Sequence, residues 1–231
     1  RRKMQIIFQD PYSSLDDRKT VKAIIEEPLK ITRGYKARGD LERKVAEMME
    51  TVGLASRYLL SYPHELDGGR RQRIGIARAL MVNPRFIVCD EPVSALDVSI
   101  QAQILNLMMD LQEQRNLTYV FITHNLSVIK HISDEIMVMY MGCVVEKCKT
   151  KELFQNPLHP YTVGLLEAIP IPSIDARKQR KLMEGEVSSP INPKPGCRFC
   201  DRCEFATKEC SSINPKLTEV ETGHFVACHL V

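Results

Sequence analysis

Short apolar runs alternate along this chain with longer segments in which apolar residues recur at helical spacing. Arg85–Cys89 is one such run and Thr118–Thr123 is a second, and both have the length and composition of strands buried in a parallel sheet. The segment between them predicts a helix, because its apolar residues form one stripe. The stripe consists of Ile100, Ile104, Leu107, Met108 and Leu111. This order of strand, helix and strand predicts a parallel α/β core with helices packed on the sheet.

Helical spacing dominates the first part of the chain. Met4–Phe8 predicts a strand, whereas Tyr12–Pro63 predicts a mostly helical insertion. Asp40 is placed to cap the start of one helix in this insertion, and Gly53 is placed to end it. The apolar stripe of that helix consists of Leu41, Val45, Met48, Met49 and Val52.

A hairpin is predicted after the core. Ile136–Tyr140 and Cys143–Glu146 are two strand-like runs, and only Met141-Gly142 separates them. A connection of this length predicts an antiparallel pair whose apolar residues contribute to a core.

Composition agrees with one substantial domain and an appendage, because 44% of the 231 residues are hydrophobic and 26% are charged. The formal net charge of +3 is too small to indicate a nucleic-acid partner. No apolar run has the length of a membrane span, and the visible start has no signal-peptide pattern. Association with a membrane is therefore expected to occur through partner proteins.

The chemistry concentrates between Leu66 and Glu91. Asp90 and Glu91 follow the Arg85–Cys89 strand, at the edge where parallel strands present ligand-binding groups. Asp90 suits a magnesium site, and Glu91 suits a general base that orients water. Gly68 and Gly69 leave room for phosphate at the start of a helix predicted from about Arg71 to Leu80, whose amides face an anion.

Five sequence elements, taken together, resemble the nucleotide-binding motifs of ABC-transporter ATPases. His64–Arg73 looks like the signature motif, and Phe86–Pro92 looks like the Walker B strand. Ser94–Asp97 resembles the D-loop, Ile122–Leu126 the switch-histidine loop, and Phe8–Pro11 the glutamine loop. Their order along the chain is that of the family, so the resemblance covers nearly the whole sequence.

The tail Asn156–Thr162 and the cysteines beyond it are similar to the ATP-binding subunits of oligopeptide and dipeptide importers. The resemblance implies an α/β fold, a RecA-like P-loop NTPase core with a helical subdomain and a small Cys-rich C-terminal extension. The implied segments are 1–11 (core strand and glutamine loop), 12–64 (helical subdomain), 65–150 (core), 151–188 (helical or linker extension) and 189–231 (Cys-rich region).

The resemblance also implies a role for each motif residue, with ATP and Mg²⁺ as ligands. Asp90 would bind magnesium, Glu91 would act as the base, His124 would sense the γ-phosphate, and Gln9 would link the nucleotide to a permease. Asp97 would couple two sites. The residues that would contact ATP held by a partner subunit are Asp67, Gly68, Gly69 and Arg70.

The phosphate-binding P-loop, G-x-x-x-x-G-K-[ST], is not found in this sequence. Its only G-x-x-x-x-G runs from Gly34 to Gly39, and Asp40-Leu41 follow it in place of the lysine and hydroxyl residue. Because the motif precedes the glutamine loop in the family, we expect an amino-terminal segment before Arg1. The chain alone is then expected to bind ATP poorly.

The signature differs from the common Leu-Ser-Gly-Gly-Gln form at two positions, where Asp67 replaces serine and Arg70 replaces glutamine. A carboxylate near a γ-phosphate repels it unless the carboxylate caps the helix and an arginine neutralises it. We therefore hypothesise a compensated exchange in which Asp67 and Arg70 act as a pair. The alternative is a degenerate site that closes without efficient turnover.

Five of the eight cysteines lie in the last part of the chain, which indicates a metal site in a reducing compartment. Spacing alone leaves a zinc site open. Its ligands would be Cys197 and Cys200 of the C-x-x-C motif and two later residues, of which His229 is one candidate. The importer resemblance instead implies a four-iron, four-sulfur cluster, with Cys200 as the spare cysteine. The implied ligands are Cys197, Cys203, Cys210 and Cys228.

The implied function is that of an ATPase subunit that energises uptake of oligopeptides or dipeptides. The implied partners are a second, different ATP-binding subunit, two membrane permeases and, indirectly, an extracytoplasmic peptide-binding protein. The implied location is peripheral, on the cytoplasmic face of the inner membrane. A soluble ABC ATPase outside transport, a catalytically degenerate partner subunit and a nonenzymatic metal module remain alternatives.

Overall fold

The computed structural model describes residues 2–35, 37–169, 185 and 191–231. Two compact units divide the chain, the first spanning Arg1–His124 and the second Asn125–Val231. The five segments expected from the sequence are a finer division and stay a prediction. Among the described residues, no helix combines the length and apolar character needed to cross a membrane.

The first unit is built on a three-stranded parallel sheet in which β2 lies between β1 and β3. The register places Ile7 opposite Cys89, and Cys89 opposite Phe121, so the three strands end at the same edge. The predicted parallel core and the predicted strand beginning at Met4 are thereby confirmed. The strands are β1 (Met4–Ile7), β2 (Phe86–Asp90) and β3 (Thr118–Ile122).

The helical insertion predicted between Tyr12 and Pro63 is confirmed, and it packs on the helix that follows it. Two helices of the insertion, α1 and α2, contact each other and both contact α3. Two short 3-10 turns, Ser56–Tyr58 and Pro63–Glu65, then lead into α3. The helices of this unit are α1 (Val21–Thr32), α2 (Arg38–Thr51), α3 (Gly68–Leu80) and α4 (Val98–Arg115).

The start of α2 differs from the expectation. The helix begins at Arg38 with Ala37 at the cap position, so Asp40 lies inside the first turn and does not cap the helix. Asp40 instead pairs with Arg43 at 2.8 Å and Lys44 at 3.2 Å, which lie three and four residues further along the same face. Gly53 follows the helix end with φ +67°, the left-handed conformation expected of a terminating glycine.

The third strand is less buried than its apolar sequence predicted. Val120 and Ile122 are 45% and 48% exposed, and buried and exposed positions do not form the continuous run expected of a strand covered on both faces. The exposed residues share one face of the sheet with Met4 and Ile6 of β1, which are 58% and 41% exposed, so the described residues leave this face largely uncovered. An apolar run alone does not show whether both faces of a strand are covered.

The second unit contains a four-stranded antiparallel sheet in the order β4, β5, β7, β6. The predicted hairpin is confirmed, and both residues of its connection, Met141 and Gly142, have positive φ as a two-residue hairpin turn requires. The strands are β4 (Glu135–Tyr140), β5 (Cys143–Lys149), β6 (Thr218–Glu221) and β7 (His224–Val226). The helices are α5 (Leu126–Ile132), α6 (Thr150–Gln155) and α7 (Pro160–Glu167), with a 3-10 turn at Cys200–Arg202.

An aromatic cluster joins the cysteine-rich segment to this sheet. Phe199 is buried, with its ring centroid 5.3 Å from that of Tyr140 and 5.4 Å from that of Tyr161. Such pairs add packing energy beyond the area they bury. Part of the expected 151–188 extension lies outside the described residues, which leave out 170–184 and 186–190.

Candidate functional site

The predicted catalytic residues meet at one edge of the parallel sheet. Gln9 follows β1, Asp90 ends β2, Glu91 comes next, and His124 follows β3. Parallel strands place their carboxyl ends side by side, so residues far apart in sequence become neighbours there. All four lie in the first compact unit.

The carboxylate of Glu91 is held on both sides by two other predicted site residues. Its Oε2 accepts a hydrogen bond from Nε2 of Gln9 at 2.9 Å, and its Oε1 lies 3.0 Å from Nδ1 of His124. These contacts join residues that are 82 and 33 positions apart in sequence. Because parallel strands end at one edge of the sheet, Glu91 and His124 come close together, whereas nothing in the sequence pattern indicates the hydrogen bond to Gln9.

The backbone at Glu91 is fixed in an unusual conformation. Glu91 has φ +42°, a region that residues other than glycine rarely adopt and that often marks a functional site. Its N–H donates to the carbonyl of Ile122 at 2.9 Å, and its own carbonyl accepts from the backbone N–H and the hydroxyl of Ser94. The neighbouring strand and the following turn therefore hold the conformation that aims the carboxylate.

Electrostatics keep Glu91 in its ionised form. The hydrogen bond with His124 is the largest cause that lowers the pKa of Glu91, and bonds from Ser94 and Gln9 act in the same direction. The Glu91 side chain is 21% exposed and that of His124 is 74% exposed, so the pair can reach a ligand at the sheet edge. An ionised carboxylate beside an imidazole can orient water and accept a proton.

The signature segment forms the first turn of α3. Asp67 is the N-cap, since its Oδ1 accepts a hydrogen bond from the backbone N–H of Arg70 at 2.8 Å. Its Oδ2 lies 2.5 Å from Nη1 of Arg70. The helix thus begins at Gly68, three residues earlier than expected, because the cap lies at Asp67. The pair that the compensated-exchange hypothesis requires is present in the structure.

Two arginines of α3 fasten this helix to the segment after Gln9, and sequence reasoning missed both contacts. The Arg71 guanidinium lies over the Tyr12 ring, 4.1 Å from its centroid, and Nε of Arg71 donates to the carbonyl of Leu66. Nη1 of Arg78 donates to the carbonyl of Ser14 at 2.7 Å. The only available signal was the density of arginines in this helix, which does not identify their partners.

The two glycines of the signature have a packing role inside the chain. A Cβ at Gly68 would lie 3.1 Å from Cδ2 of Leu96, and a Cβ at Gly69 would lie 2.7 Å from Cγ2 of Ile100. From the sequence, these glycines are explained by the close approach of phosphate. The structure adds a second reason, since the start of α3 lies closely against residues 96–100.

Replacing Gly69 with alanine should therefore destabilise the protein by about 1–3 kcal/mol, because Ile100 must move to admit the new methyl group. The measurement is urea-induced unfolding followed by circular dichroism. Gly75→Ala is the matched control in the same helix, where an added Cβ meets nothing within 4 Å. That variant should gain up to about 1 kcal/mol from helix propensity, and equal losses in the two variants would contradict the packing argument.

Asp97 occupies the N-cap position of α4, but its side chain makes no capping hydrogen bond. Its carbonyl accepts from the N–H of Gln101 at 2.8 Å, and its side chain is exposed. The carboxylate is thus presented at the surface next to the turn that follows Glu91. A role in coupling two nucleotide sites stays a prediction.

The cysteines of the carboxyl-terminal segment converge in the second unit. Burial is the main cause that raises the pKa of Cys197, Cys203 and Cys228, and the charges of neighbouring cysteines, Cys210 among them for each, raise the pKa further. The N–H of Cys197 donates to the carbonyl of Cys210 at 2.7 Å, and all eight cysteines are free thiols. Cys200 also interacts electrostatically with Cys210, so the expected spare cysteine lies near the others.

Tight groups of metal-ligating atoms occur at another place among the described residues. Groups of three with mutual distances within 4.8 Å are formed by Glu146, Cys148 and His224, and by Glu152, Glu221 and His224. Neither group includes a cysteine of the carboxyl-terminal segment. The predicted zinc site at Cys197-x-x-Cys200 therefore has no closely gathered ligand set among the described residues.

Two family models match the sequence. The model described as "ABC transporter" matches residues 1–94, and the model described as "Oligopeptide/dipeptide transporter, C-terminal region" matches residues 145–210. The first match contains the segment with Gln9, the signature and Glu91. The second contains most of β5, all of α6 and α7, and the first cysteines of the carboxyl-terminal segment.

Curated relatives match the chain from end to end. It is 52% identical to the dipeptide transport ATP-binding protein DppF of Haemophilus influenzae, over 99% of this chain and 69% of the relative. It is 50% identical to the oligopeptide transport ATP-binding protein AppF of Bacillus subtilis, over 100% of this chain and 70% of the relative. Identity to OppF of Salmonella typhimurium, an oligopeptide transport ATP-binding protein, is 50% over 99% of this chain and 69% of the relative.

Solved structures show the same fold. The chain superposes with a TM-score of 0.60 on CbiO1 of Clostridium perfringens, part of an ABC transporter complex, at 23% identity over 67% of this chain and 60% of that one. A dimeric ATP-binding cassette in a post-hydrolysis state with bound ADP and Pi gives a TM-score of 0.56 at 30% identity, over 64% of each chain. The α/β ABC ATPase fold implied by the sequence is thus confirmed, and the level of identity to the curated relatives decides the family. The chain belongs to the family of ABC-transporter ATP-binding proteins of the oligopeptide and dipeptide type.

Proposed function

We propose that this chain is the ATP-hydrolysing subunit of an importer for oligopeptides or dipeptides. The observation that carries the proposal is the Glu91 carboxylate held between Gln9 and His124 at the sheet edge. It occurs in a chain about 50% identical to proteins named for oligopeptide and dipeptide transport. The chemistry of the site supplies the hydrolysis, and the relatives supply the class of cargo.

Each residue of the site has a separate task in this function. Glu91 orients the attacking water and accepts its proton, while His124 holds the carboxylate and extends its exposed ring toward the γ-phosphate. Asp90 is the residue that would hold Mg²⁺, which neutralises phosphate charge when bound. Gln9 links the position of Glu91 to the segment that follows β1.

The signature would complete a nucleotide site on a second subunit. Asp67, Gly68, Gly69 and Arg70 form the amino-terminal turn of α3, where backbone N–H groups favour an anion. Asp97 presents its carboxylate at the surface and would meet the opposite subunit. The subunit that faces this chain in the dimer is a different ATP-binding subunit, so the dimer is a heterodimer.

The remaining partners are two membrane permeases and, indirectly, an extracytoplasmic peptide-binding protein. The chain would act peripherally, on the cytoplasmic face of the inner membrane. The segment after Gln9 supports a contact with a permease, because it is fastened to the signature helix through Tyr12 and Ser14. A movement there would reach both Glu91 and the signature.

Reconstitution tests the function. The full-length gene product, its companion ATPase and the two neighbouring permeases are assembled in lipid nanodiscs, and ATP hydrolysis is measured with and without the binding protein loaded with di- or oligopeptides. We expect peptide-loaded binding protein to stimulate hydrolysis. If the permeases assemble with the subunit but only a non-peptide solute stimulates hydrolysis, the proposed cargo is wrong. Assembly without any ATP hydrolysis would contradict the catalytic role.

A catalytically degenerate subunit is the second candidate, favoured by the altered signature with Asp67 and Arg70. The ion pair and cap between these residues argue for a compensated motif that still closes on ATP, because the negative charge is neutralised within the first turn. The two candidates differ in how the two substitutions combine.

A double-mutant cycle separates them. Asp67→Ser alone leaves Arg70 unpaired, and Arg70→Gln alone leaves the carboxylate facing phosphate, so each should lower the ATPase rate of the assembled complex about tenfold. The double variant has the common Leu-Ser-Gly-Gly-Gln form and should recover most of the rate, a coupling of about 0.5–3 kcal/mol. Losses that simply add would favour the degenerate site.

The cysteine segment would hold a four-iron, four-sulfur cluster. The chemistry of the four cysteines fits it, because iron–sulfur clusters are bound by thiolates. The cysteines are Cys197, Cys203, Cys210 and Cys228, which are free and near enough for the thiolate charge of one to raise the pKa of another. The cluster would tie three separate stretches of the segment together.

Anaerobic purification tests the cluster through colour, iron and acid-labile sulfide content, and electron paramagnetic resonance after reduction. Cys210→Ser should lose the iron, whereas Cys200→Ser, the matched control, should retain it. A colourless wild-type protein with stoichiometric zinc, or equal iron loss in both variants, would overturn the assignment.

A further inference from the structure

A buried carboxylate organises the antiparallel sheet of the second unit. Glu146 in β5 is fully buried, and its Oε1 accepts a hydrogen bond from the N–H of Leu158 at 2.8 Å. Its Oε2 accepts from the N–H of His159 at 3.1 Å, and Nε2 of His224 lies 2.8 Å from Oε1. Both oxygens are therefore occupied, and Glu146 has the surroundings of a residue that positions a histidine.

One nitrogen of His224 is paired and the other is not. His224 is 1% exposed, and its Nε2 must carry the proton in order to donate to Glu146. Nδ1 is then a bare lone pair, enclosed and without a hydrogen-bond partner in the part of the chain that the structure describes. Buried polar atoms are nearly always satisfied, so this unpartnered lone pair marks a position that a proton donor or a cation can occupy.

Two carboxylates gather beside the same histidine. Glu152 lies in α6, and Glu221 lies directly opposite His224 in the pairing of β6 with β7. One ligand atom from each of the three residues lies within 4.8 Å of the other two. Glu221 is exposed and Glu152 is half-buried, so an ion can enter from solvent on this side. Two like charges beside a lone pair attract a cation.

We propose that Nδ1 of His224 and the carboxylates of Glu152 and Glu221 bind a divalent transition-metal ion of the zinc type, with Glu146 as the positioning residue. A histidine that binds a metal usually donates its other N–H to a carboxylate, which fixes its tautomer and orientation. The hydrogen bond from His224 to Glu146 has this arrangement. Mixed imidazole and carboxylate donors favour zinc over magnesium or calcium, which prefer oxygen alone. Three protein ligands leave a fourth position to water.

The other group of metal-ligating residues that includes His224 is less suited to an ion. Cys148 and Glu146 also lie near His224, but all three residues are buried and the Glu146 oxygens already accept three hydrogen bonds. An ion there would have to displace those bonds. The site is also separate in chemistry from the cysteine segment, since its donors are nitrogen and oxygen.

Cobalt(II) serves as a spectroscopic probe in place of zinc. The full-length protein is purified anaerobically, so that its cysteine segment keeps its native occupant, and is then titrated with Co²⁺ against a competing chelator. We expect one ion per chain with the visible ligand-field bands of four-coordinate Co²⁺ and no sulfur-to-cobalt charge-transfer band. Excess Zn²⁺ should displace it.

Glu152→Gln and Glu221→Gln should each weaken Co²⁺ binding tenfold or more, and Glu146→Gln should weaken it about 10–100-fold through the orientation of His224. Glu221 is exposed, so its variant is expected to fold, which circular dichroism verifies. Glu167→Gln, an exposed carboxylate of α7 outside the group, is the matched control and should leave binding unchanged.

Three results would overturn the proposal. The first is an unchanged Co²⁺ affinity in Glu221→Gln. The second is loss of the ion in Cys148→Ser together with a sulfur charge-transfer band in the wild type, which would place the ion on the thiol side. The third is the absence of any Co²⁺ or Zn²⁺ binding beyond that of the cysteine segment.

Discussion

Glu91→Gln should lower ATP turnover of the assembled transporter by about 100- to 10,000-fold, the range that a positioned general base contributes. Glutamine keeps the size of the side chain and can still contact Gln9 and His124, but it cannot accept a proton from water. ATP binding should survive, so the variant should accumulate the nucleotide-bound closed dimer. Single-turnover hydrolysis and size-exclusion chromatography with ATP measure the two effects.

Glu113→Gln provides the control for charge, because Glu113 is an exposed carboxylate of α4. It should leave turnover unchanged. A Glu91→Gln transporter that hydrolyses ATP at the wild-type rate would show that another group orients the water, and the proposed role of Glu91 would be wrong.

The pH dependence of hydrolysis should follow the same carboxylate. The pKa of Glu91 is lowered chiefly by its hydrogen bond with His124, so the base stays ionised at neutral pH and the rate falls only as the pH drops through this lowered value. His124→Ala removes the bond and raises the pKa of Glu91. The acid limb of the residual rate should therefore move to higher pH, and an unmoved limb would contradict the coupling.

Glu146→Ala should destabilise the protein by about 3–5 kcal/mol, as expected when one member of a buried, hydrogen-bonded charge network is removed. The change leaves the backbone N–H groups of Leu158 and His159 and the Nε2–H of His224 without an acceptor. It also leaves a cavity beside β5. Urea unfolding followed by circular dichroism, with a chelator present to exclude metal effects, measures the loss.

Glu135→Ala on the adjacent strand β4 is the matched control. Glu135 pairs with Lys147 at 3.5 Å on the surface, and exposed ion pairs contribute at most about 1 kcal/mol. Similar unfolding midpoints for the two variants would show that Glu146 does not anchor the Leu158–His159 loop.

Local patterns in the sequence predicted the elements that depend on nearby residues. The apolar run before Asp90 gave strand β2, Gly53 ended α2, and Met141-Gly142 closed the hairpin, because each depends on the chain within a few positions. The proximity of Glu91 and His124 was also predictable, since parallel strands end at one edge.

Contacts between distant segments were not predictable from these patterns. The bond between Glu146 and His224 joins residues 78 positions apart, and neither periodicity nor spacing marks them. Arg71 over Tyr12 depends on how the signature helix packs on the glutamine-loop segment. The exposure of Val120 and Ile122 depends on what covers that face of the sheet, which a single apolar run does not record.

The contacts between α3 and the segment after Gln9 connect the movements of these two parts. Arg71 lies over the Tyr12 ring and Arg78 donates a hydrogen bond to the Ser14 carbonyl. A rotation of α3 would therefore move the chain only a few residues from Gln9. Such a movement would change the distance between the Gln9 amide and the Glu91 carboxylate, which orients the water. In the proposed importer, a partner that moves the segment around Tyr12 and Ser14 would therefore change how Gln9 holds the Glu91 carboxylate.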